Sequence, residues 1–150
     1  MTARSASART GATPAGAART EPDRTPDLLY SEAEDDLRSA VRSLLADRAD
    51  APTVIAATES DTPYDPRLWE SLATGIGAAG LLVPEELGGQ GATHREAAVV
   101  LEELGRSVAP APYLTSSVVA TEVLLALGGH DGPAGDLLGD LAAGRKVAVL

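Results

Sequence analysis

Apolar residues recur at helical spacing in five stretches of the chain, and proline or glycine stands between most of them. This pattern predicts an all-α protein, a bundle of about five helices. The first predicted helix runs from about Ser31 to Asp47. Ser31 and Glu34 match a capping box, and apolar side chains three or four residues apart form one stripe. The members of that stripe are Leu37, Val41, Leu44 and Leu45.

A second helix is expected to begin at Asp65, an N-cap residue with Pro66 at the first helical position. It should end in the glycine-rich stretch 75–80. The residues of its buried face are Leu68, Trp69, Leu72 and Ile76. Before this helix, residues 50–63 hold two prolines and little periodicity, which is typical of a loop.

A third helix is predicted to begin at Thr93, where Glu96 completes a second capping box, and to have Gly105 as its C-cap. The residues of its inner face are Ala97, Val100, Leu101 and Leu104. A fourth helix, over about residues 112–127, is apolar on nearly every side from Val118 onward. A helix without a polar face is usually central in its bundle.

The chain closes with a short fifth helix, over about residues 133–143, and an apolar segment, residues 146–150, that has the pattern of a β-strand. A lone strand after a helical domain would have no ladder partner. We therefore expect residues 146–150 to be the start of a β-domain in a longer protein. The alternative is a loosely packed tail.

Composition and charge exclude several classes of protein. The 150 residues include no Cys, so neither a disulfide nor a thiolate metal site is possible, and a cytoplasmic protein is expected. No apolar run approaches the roughly 20 residues that cross a membrane. The net charge of −10 argues against nucleic acid as the main partner. His94 and His130, the only histidines, lack metal-ligand spacing and are expected on the surface.

The N-terminal segment differs from the rest of the chain. It contains no Leu, Ile or Val, so it cannot bury enough apolar area to become ordered. We predict a disordered tail over residues 1–26 and a helical domain over residues 27–145. The Arg- and Ser-rich start also resembles an organellar transit peptide. Arg replaces Lys almost throughout, however, which indicates a GC-rich genome and weakens that alternative.

Several motifs lack the partners that their chemistry needs. Gly75–Gly80 matches Gly-x-Gly-x-x-Gly but follows a helix instead of a strand, so we do not interpret it as a dinucleotide loop. The pairs Glu85–Glu86 and Glu102–Glu103 point to different helix faces, and we expect them in solvent. Ser116–Ser117 has no histidine partner for nucleophilic catalysis. We therefore predict no catalytic residue in this chain.

The segment from Gly80 to Gly91 is the most informative part of the sequence. It is an apolar run broken by Pro84 and closed by Gly88, Gly89 and Gly91, between two helical patterns. Glycine permits close backbone approach and left-handed conformations there. We expect a tight crossover that positions two helices and faces a substrate pocket or a neighbouring domain.

The order and spacing of these motifs resemble those of the N-terminal domain of the acyl-CoA dehydrogenases. The resemblance rests on Pro66-Arg67-Leu68-Trp69, the segment Gly80 to Gly91 and Glu102-Glu103-Leu104-Gly105. It continues through Gly128-Gly129 to Ala142-Ala143-Gly144-Arg145 before the predicted strand. It covers about residues 28–150.

This resemblance implies an enzyme of three parts: a helical N-terminal domain, a middle β-domain and a C-terminal helical bundle. In the family, FAD is bound mainly between the last two, often with help from a neighbouring subunit. A glutamate, usually in the last domain, removes the α-proton of an acyl-CoA, and the flavin accepts a hydride from the β-carbon. Electron-transfer flavoprotein then takes the electrons. This chain corresponds to the first part alone, so we expect it to be inactive and to bind FAD weakly or not at all.

The resemblance also implies substrate contacts on the fourth helix. By position along that helix, Tyr113, Ser116, Ser117 and Ala120 would line one wall of the acyl pocket; alternatively, each packs only within the bundle. The entry Pro110-Ala111-Pro112 is unlike that of the commonest short- and medium-chain enzymes. Small side chains here would leave room for a bulky or branched acyl group, as in bacterial lipid or sterol degradation.

Two other functions stay open. The parent protein is expected to be a homo- or hetero-oligomer. The chain could instead be a non-catalytic helical subunit that pairs with a flavin-bearing partner. It could also belong to an acyl-CoA oxidase or a flavin monooxygenase of the same fold.

Overall fold

The computed structural model describes residues 28–62, 64–129 and 131–149, which contain six α-helices and no strand. These are α1 (Glu32–Arg48), α2 (Ala51–Thr58), α3 (Pro66–Glu70), α4 (His94–Arg106), α5 (Thr121–Ala126) and α6 (Gly132–Ala142). One π-helical segment (Ser71–Gly75) extends α3, and a longer one (Tyr113–Ala120) leads into α5. The predicted tail over residues 1–26, His130 and Leu150 lie outside the described residues.

The first predicted helix is confirmed, including its capping box. The Ser31 Oγ accepts a hydrogen bond from the Glu34 backbone N–H at 3.2 Å, and the Glu34 carboxylate accepts one from the Ser31 N–H at 2.6 Å. Two of the stripe residues, Val41 and Leu45, are fully buried. The local start signal and the apolar spacing therefore determined this helix together.

The predicted loop over residues 50–63 is wrong in its first part, which forms α2. Asp50 is the N-cap, and its carboxylate accepts a hydrogen bond from the Thr53 N–H at 3.0 Å. Pro52 lies in the first turn, where a missing N–H costs nothing. No residue of α2 is buried, so the helix has no apolar stripe for a periodicity argument to detect.

A left-handed residue follows the π-helical extension of α3, and another follows α4. The first is a glycine, as expected, and the second is a valine. Gly77, with φ of 78°, ends the π-helical extension of α3. The predicted cap at Gly105 is wrong, because α4 continues to Arg106. The left-handed residue after α4 is Val108, with φ of 49°, and the Ala109 N–H then donates to the Leu104 carbonyl at 3.0 Å. A β-branched residue rarely adopts this conformation.

The glycine-rich segment between α3 and α4 folds back on itself as a tight crossover. Backbone N–H groups of Gln90 and Ala92 donate to the carbonyls of Gly80 and Leu81 at 2.9 and 2.7 Å. A Cβ added to Gly89 would lie only 2.0 Å from the Val83 carbonyl oxygen. Glycine is therefore required at this position by backbone contact.

The core is aliphatic and lies between α1, α3, α4 and the crossover. Its buried members include Val41, Leu72, Ala79 and Val100, with Trp69 at its edge. A second, smaller cluster joins the crossover to α6, through Val83, Leu138 and Ala142. Gly80 permits this approach, because a Cβ there would lie 3.1 Å from the Ala142 carbonyl oxygen.

A buried carboxylate joins α4 to α1. The expected exposure is confirmed for Glu85, Glu86 and Glu102, but it is wrong for Glu103, which is 1% exposed. The Arg42 guanidinium donates to its two oxygens at 2.9 and 2.6 Å, and Arg38 adds a third bond at 3.2 Å. Hydrogen bonds from Arg42 outweigh the effect of burial and lower the pKa of Glu103.

A second ion pair joins the starts of the same two helices. The Arg95 guanidinium donates to both oxygens of Glu34, at 2.6 and 3.1 Å. Hydrogen bonds from Arg95, and then from the Ser31 backbone, lower the pKa of Glu34 from 4.5 to about 2. The carboxylate of the α1 capping box therefore also holds α4.

The Glu34→Gln substitution is expected to reduce the dependence of stability on acid pH. Because the folded pKa is depressed, the stabilisation by Glu34 is complete above pH 4.5 and is lost as the pH falls towards about 2. The melting temperature of the variant should therefore be lower at pH 7 and should fall less steeply over this window. The matched control is Asp36→Asn, at an exposed position of α1, which should keep the wild-type slope. Equal slopes for Glu34→Gln and wild type would contradict the assignment.

The fourth predicted helix is confirmed in extent, but its expected central position is not what the described residues show. Its aliphatic side chains Leu114, Val119, Val123 and Leu127 are between 39% and 79% exposed. The opposite side, which carries hydroxyl-bearing and small residues, is buried. We call these four residues, which lie on the π-helical segment, on α5 and at its C-cap, the exposed aliphatic stripe.

The end of the chain is not a strand over the described residues 146–149. This segment follows α6, whose predicted extent is confirmed, and a left-handed Gly144 with φ of 67°. A strand needs a neighbour for its ladder, and the described residues offer none. The predicted β-domain beyond this point stays a prediction.

Candidate functional site

The structure brings the four predicted acyl-wall residues together on one side of the π-helical segment. Tyr113, Ser116, Ser117 and Ala120 are all buried, with at most 3% of each exposed. They face the core, where Ala78 and Ala79 of the crossover and residues of α4 pack against the segment. Their shared burial fits packing within the bundle as well as a wall of a pocket, so their role as an acyl wall stays a prediction.

The helix that carries these residues is wound more widely than an α-helix. The segment follows Pro110 and Pro112, and Pro112 caps it without a side-chain hydrogen bond. The Thr121 hydroxyl donates to the Ser116 carbonyl, five residues earlier, at 3.3 Å. π-helical turns are uncommon and are found frequently at functional sites. The geometry of the segment therefore agrees with its choice as a candidate site.

Ser116 differs from the other three because its hydroxyl already has a structural partner. The Ser116 Oγ accepts a hydrogen bond from the Ala148 backbone N–H at 3.1 Å. The Trp69 indole N–H donates to the Gly144 carbonyl at 3.2 Å, and Asp140 pairs with Arg145. Together these contacts fix the segment after α6, which we call the exit segment (residues 144–149), against the helices.

Two other hydroxyls of the site have no hydrogen-bond partner among the described residues: the Tyr113 OH and the Ser117 Oγ. Burial raises the pKa of Tyr113, so this phenol stays protonated at any physiological pH. Each hydroxyl can donate one hydrogen bond and accept others. No basic side chain among the described residues hydrogen-bonds to either one, so that part of the chain offers no base to activate them.

The open surface grooves lie away from these residues. One groove of about 550 Å³ separates the crossover from α6 and is lined by Glu86, Asp131 and Asp136, among others. None of the four predicted residues lines it. No group of side chains in the described part of the chain could hold a metal ion, and no helix described there is long and apolar enough to cross a bilayer.

The remaining predicted features are surface contacts or packing contacts. The His94 Nε2 lies 3.1 Å from the Glu122 carboxylate, and both side chains are exposed. The glycines of Gly75–Gly80 follow a π-helical turn, and Gly77 and Gly80 pack against Gln90 and Ala142. This segment thus has the surroundings of a helix exit, and the strand–turn–helix context of a dinucleotide cradle is missing around it.

The sequence did not predict two contacts that hold the helices around these residues: the ion pairs of Glu103 and the hydrogen bond of Ser116. It placed Glu103 in solvent, although Arg38 and Arg42 lie four residues apart on α1 and could have indicated a partner. It also missed the bond between Ser116 and the exit segment. No local signal predicts that bond, because it joins residues 32 positions apart.

Comparison with known proteins identifies relatives of this domain. The model of the N-terminal domain of acyl-CoA dehydrogenases matches residues 31–145. The chain is 41% identical over 120 residues to acyl-CoA dehydrogenase IpdE2 of Mycolicibacterium smegmatis, and 43% identical over 114 residues to IpdE2 of Mycobacterium tuberculosis. These alignments cover 80% and 76% of this chain but only 37% and 35% of the relatives. The chain therefore spans about a third of the length of the curated relatives that it matches.

Two solved structures are similar in fold. One is a variant of the Tcur3481-Tcur3483 steroid ACAD, with a TM-score of 0.69 and 31% identity over 79% of this chain and 32% of that chain. The other is the ChsE4-ChsE5 complex of Mycobacterium tuberculosis, with a TM-score of 0.70 and 25% identity over 83% of this chain and 34% of that chain.

Proposed function

Because the chain belongs to the acyl-CoA dehydrogenase family, as its N-terminal domain, we propose that it contributes one wall of the acyl pocket in an FAD-dependent acyl-CoA dehydrogenase. The enzyme would convert an acyl-CoA thioester to the trans-2-enoyl-CoA. The observation that carries this proposal is the family match over residues 31–145. The wall would be formed by Tyr113, Ser116, Ser117 and Ala120, which share the buried side of one helix.

The proposed substrate is a bulky, ring-bearing acyl-CoA of lipid or sterol degradation. Support comes from the similarity to a steroid ACAD at 31% identity. Support also comes from the site, where three of the four wall residues have small side chains. Such residues leave volume for a rigid ring system that a wall of leucines would fill. Electron-transfer flavoprotein is the proposed electron acceptor, in the cytoplasm.

The proposed assembly is an oligomer of unequal subunits. One of the similar structures is the ChsE4-ChsE5 complex, whose name states two components. The exposed aliphatic stripe is open to solvent in the described residues, and such a stripe is normally covered in a working assembly. A homo-oligomer remains the alternative arrangement.

FAD would supply the acceptor for the hydride that leaves the β-carbon of the substrate. The described residues do not fit a flavin cradle, because Gly75 ends a π-helical segment and Gly77 and Gly80 are packed against Gln90 and Ala142. We therefore assign no flavin contact and no step of the transfer to this chain. Its part in the reaction is to shape the acyl site and exclude water from it.

The experiment is to purify the full-length protein with its partner subunit and to measure FAD content and dye reduction. We expect stoichiometric FAD and faster dye reduction with a steroid acyl-CoA than with octanoyl-CoA. Residues 1–150 alone should bind no FAD in a flavin titration. A colourless full-length complex that takes up no FAD would contradict the proposal. Oxygen consumption without an added acceptor would indicate an acyl-CoA oxidase or a flavin monooxygenase instead.

A second candidate function is favoured by the paired subunits of the ChsE4-ChsE5 complex. The protein would then be a non-catalytic helical subunit whose partner holds all of the flavin. The two functions differ in one measurement: separated subunits from the active complex would show FAD on the partner alone.

A further inference from the structure

Side chains from two helices hold the first half of the exit segment. The Trp69 indole N–H of α3 donates to the Gly144 carbonyl at 3.2 Å. One carboxylate oxygen of Asp140, on α6, accepts from Arg145 at 2.6 Å, and the other lies 2.7 Å from the Lys146 ammonium. Ordering a segment outside helices and strands costs conformational entropy, and these contacts offset that cost. The direction of the chain after α6 is therefore fixed.

Ser116 holds the second half of the exit segment from inside the bundle. It is 1% exposed, and its Oγ accepts the Ala148 N–H at 3.1 Å. Val147, the residue before Ala148, is partly buried and packs against the main core cluster. Because Ser116 belongs to the π-helical segment, its hydrogen bond joins the predicted acyl wall directly to the exit segment.

The start of the exit segment is packed too closely to admit a larger residue. Gly144 has φ of 67°, and a Cβ added there would lie only 2.4 Å from the Cβ of Ala73, in the π-helical extension of α3. Any side chain at this position would push the exit segment away from the helices. Position 144 therefore offers a way to displace the exit segment without a change in the acyl wall itself.

Resting on the proposed function, we propose that Ser116 is a positioning residue, which fixes the exit segment, and through it the part of the enzyme that follows, relative to the acyl wall. The Ser116 Oγ is buried and already bonded, so it acts through Ala148 and takes no part in proton or hydride transfer. Fixed geometry matters here, because a displacement of about 1 Å between substrate and reacting group can cost about a hundredfold in rate.

The first measurement is hydrogen exchange of the exit segment by mass spectrometry, in the full-length, FAD-loaded complex. In Ser116→Ala, the Ala148 amide should exchange about tenfold faster, because it loses its acceptor. Exchange in α4 should stay at the wild-type rate. The matched control is Ser117→Ala, which removes a buried hydroxyl without a partner in the described residues and should leave the Ala148 amide protected. Unchanged exchange in Ser116→Ala would overturn the inference.

The second measurement separates positioning from substrate contact. In dye reduction by the same complex, Ser116→Ala should lower kcat about tenfold and change KM by less than about twofold. The loss should be equal for a steroid acyl-CoA and for octanoyl-CoA, because a displaced exit segment affects every substrate. A rise in KM confined to the steroid compound would mean that Ser116 contacts the substrate, and it would overturn the inference.

A second variant displaces the exit segment from its other end. In Gly144→Ala, the added Cβ meets Ala73, so exchange should accelerate and kcat should fall with little change in KM, as in Ser116→Ala. Ser43→Ala, at an exposed position of α1, should keep the wild-type exchange and kinetics. Accelerated exchange with wild-type kcat in Gly144→Ala would overturn the inference, because the exit segment could then move without consequence for the reaction.

Failure of the proposed function would look different from failure of this inference. A wild-type complex that holds FAD and oxidises acyl-CoA, with both variants at its kcat, would overturn the inference alone. A wild-type complex that holds no FAD and oxidises no acyl-CoA would contradict the proposed function, and the inference with it.

Discussion

The Gly89→Ala substitution is expected to lower the free energy of unfolding by about 3 kcal/mol, the largest effect of any single methyl group in the crossover. The added Cβ would lie 2.0 Å from the Val83 carbonyl oxygen and 2.5 Å from the Val83 Cβ. These atoms belong to backbone and to a fully buried side chain, so they cannot move aside cheaply. The same carbonyl accepts the Gly91 N–H at 2.9 Å, and its displacement would break that bond as well.

Urea denaturation followed by circular dichroism measures this loss. The matched control is Gly88→Ala, one residue earlier, where a Cβ would meet nothing within 4 Å. Gly88 has φ of 84°, so alanine there should cost only about 1 kcal/mol, the strain of a left-handed residue. A loss at position 89 no greater than that at position 88 would show that the crossover opens easily, contrary to the structure.

The Glu103→Gln substitution is expected to lower the free energy of unfolding by about 2 kcal/mol. Glutamine keeps the volume of the side chain but removes the negative charge that Arg38 and Arg42 share and that Arg106 approaches at 3.8 Å. Arg38 is 13% exposed and would keep a charge with poor access to solvent, while Arg42 is 51% exposed and can turn to water. The loss of unfolding free energy therefore arises mainly from the Arg38 guanidinium, which water cannot reach easily.

The neighbouring glutamate provides the control for this substitution. Glu102 also pairs with Arg38, at 2.7 Å, but its side chain is 46% exposed. Glu102→Gln should therefore cost less than about 0.5 kcal/mol, as exposed ion pairs usually do. Thermal melts of both variants at neutral pH give the comparison. Equal losses would mean that burial of Glu103 does not determine the strength of the network.

Local signals in the sequence predicted most of the helices, because each signal acts within a few residues. The capping boxes at Ser31 and Thr93 and the Asp-Pro start at Asp65 are all present in the structure. α2 was missed, although Asp50 and Pro52 form a similar start, because no apolar stripe follows them. An exposed helix carries capping signals alone, so apolar periodicity does not indicate it.

Tertiary effects explain the predictions that failed. Gly105 is a reasonable C-cap by composition, yet the chain turns at Val108 instead, because Leu104 can then receive the Ala109 N–H while it packs in the core. The π-helical segment Tyr113–Ala120 has more residues per turn than an α-helix, and a 3.6-residue pattern in the sequence does not predict this. It changes which side chains share a face, and only the packing against other elements determines it.

The shared burial of the four candidate residues is shown by the structure, and their role in an acyl site stays a prediction. Position along the fourth helix was enough to choose Tyr113, Ser116, Ser117 and Ala120, which share a buried side. The Ser116 hydroxyl is paired with the exit segment, more than 30 residues later, whereas the hydroxyls of Tyr113 and Ser117 have no partner in the described residues. No local sequence signal predicts this difference.

The bond between Trp69 and Gly144 has a consequence for how the protein can be observed in solution. The chain has a single tryptophan, and its indole N–H is held by the Gly144 carbonyl at 3.2 Å at the start of the exit segment. The ring is 5% exposed, so its fluorescence emission should be blue-shifted while the segment is docked and should move to longer wavelength upon release. The exit segment is thus contacted by a single intrinsic fluorophore, and its release from the helices can be timed without an added label.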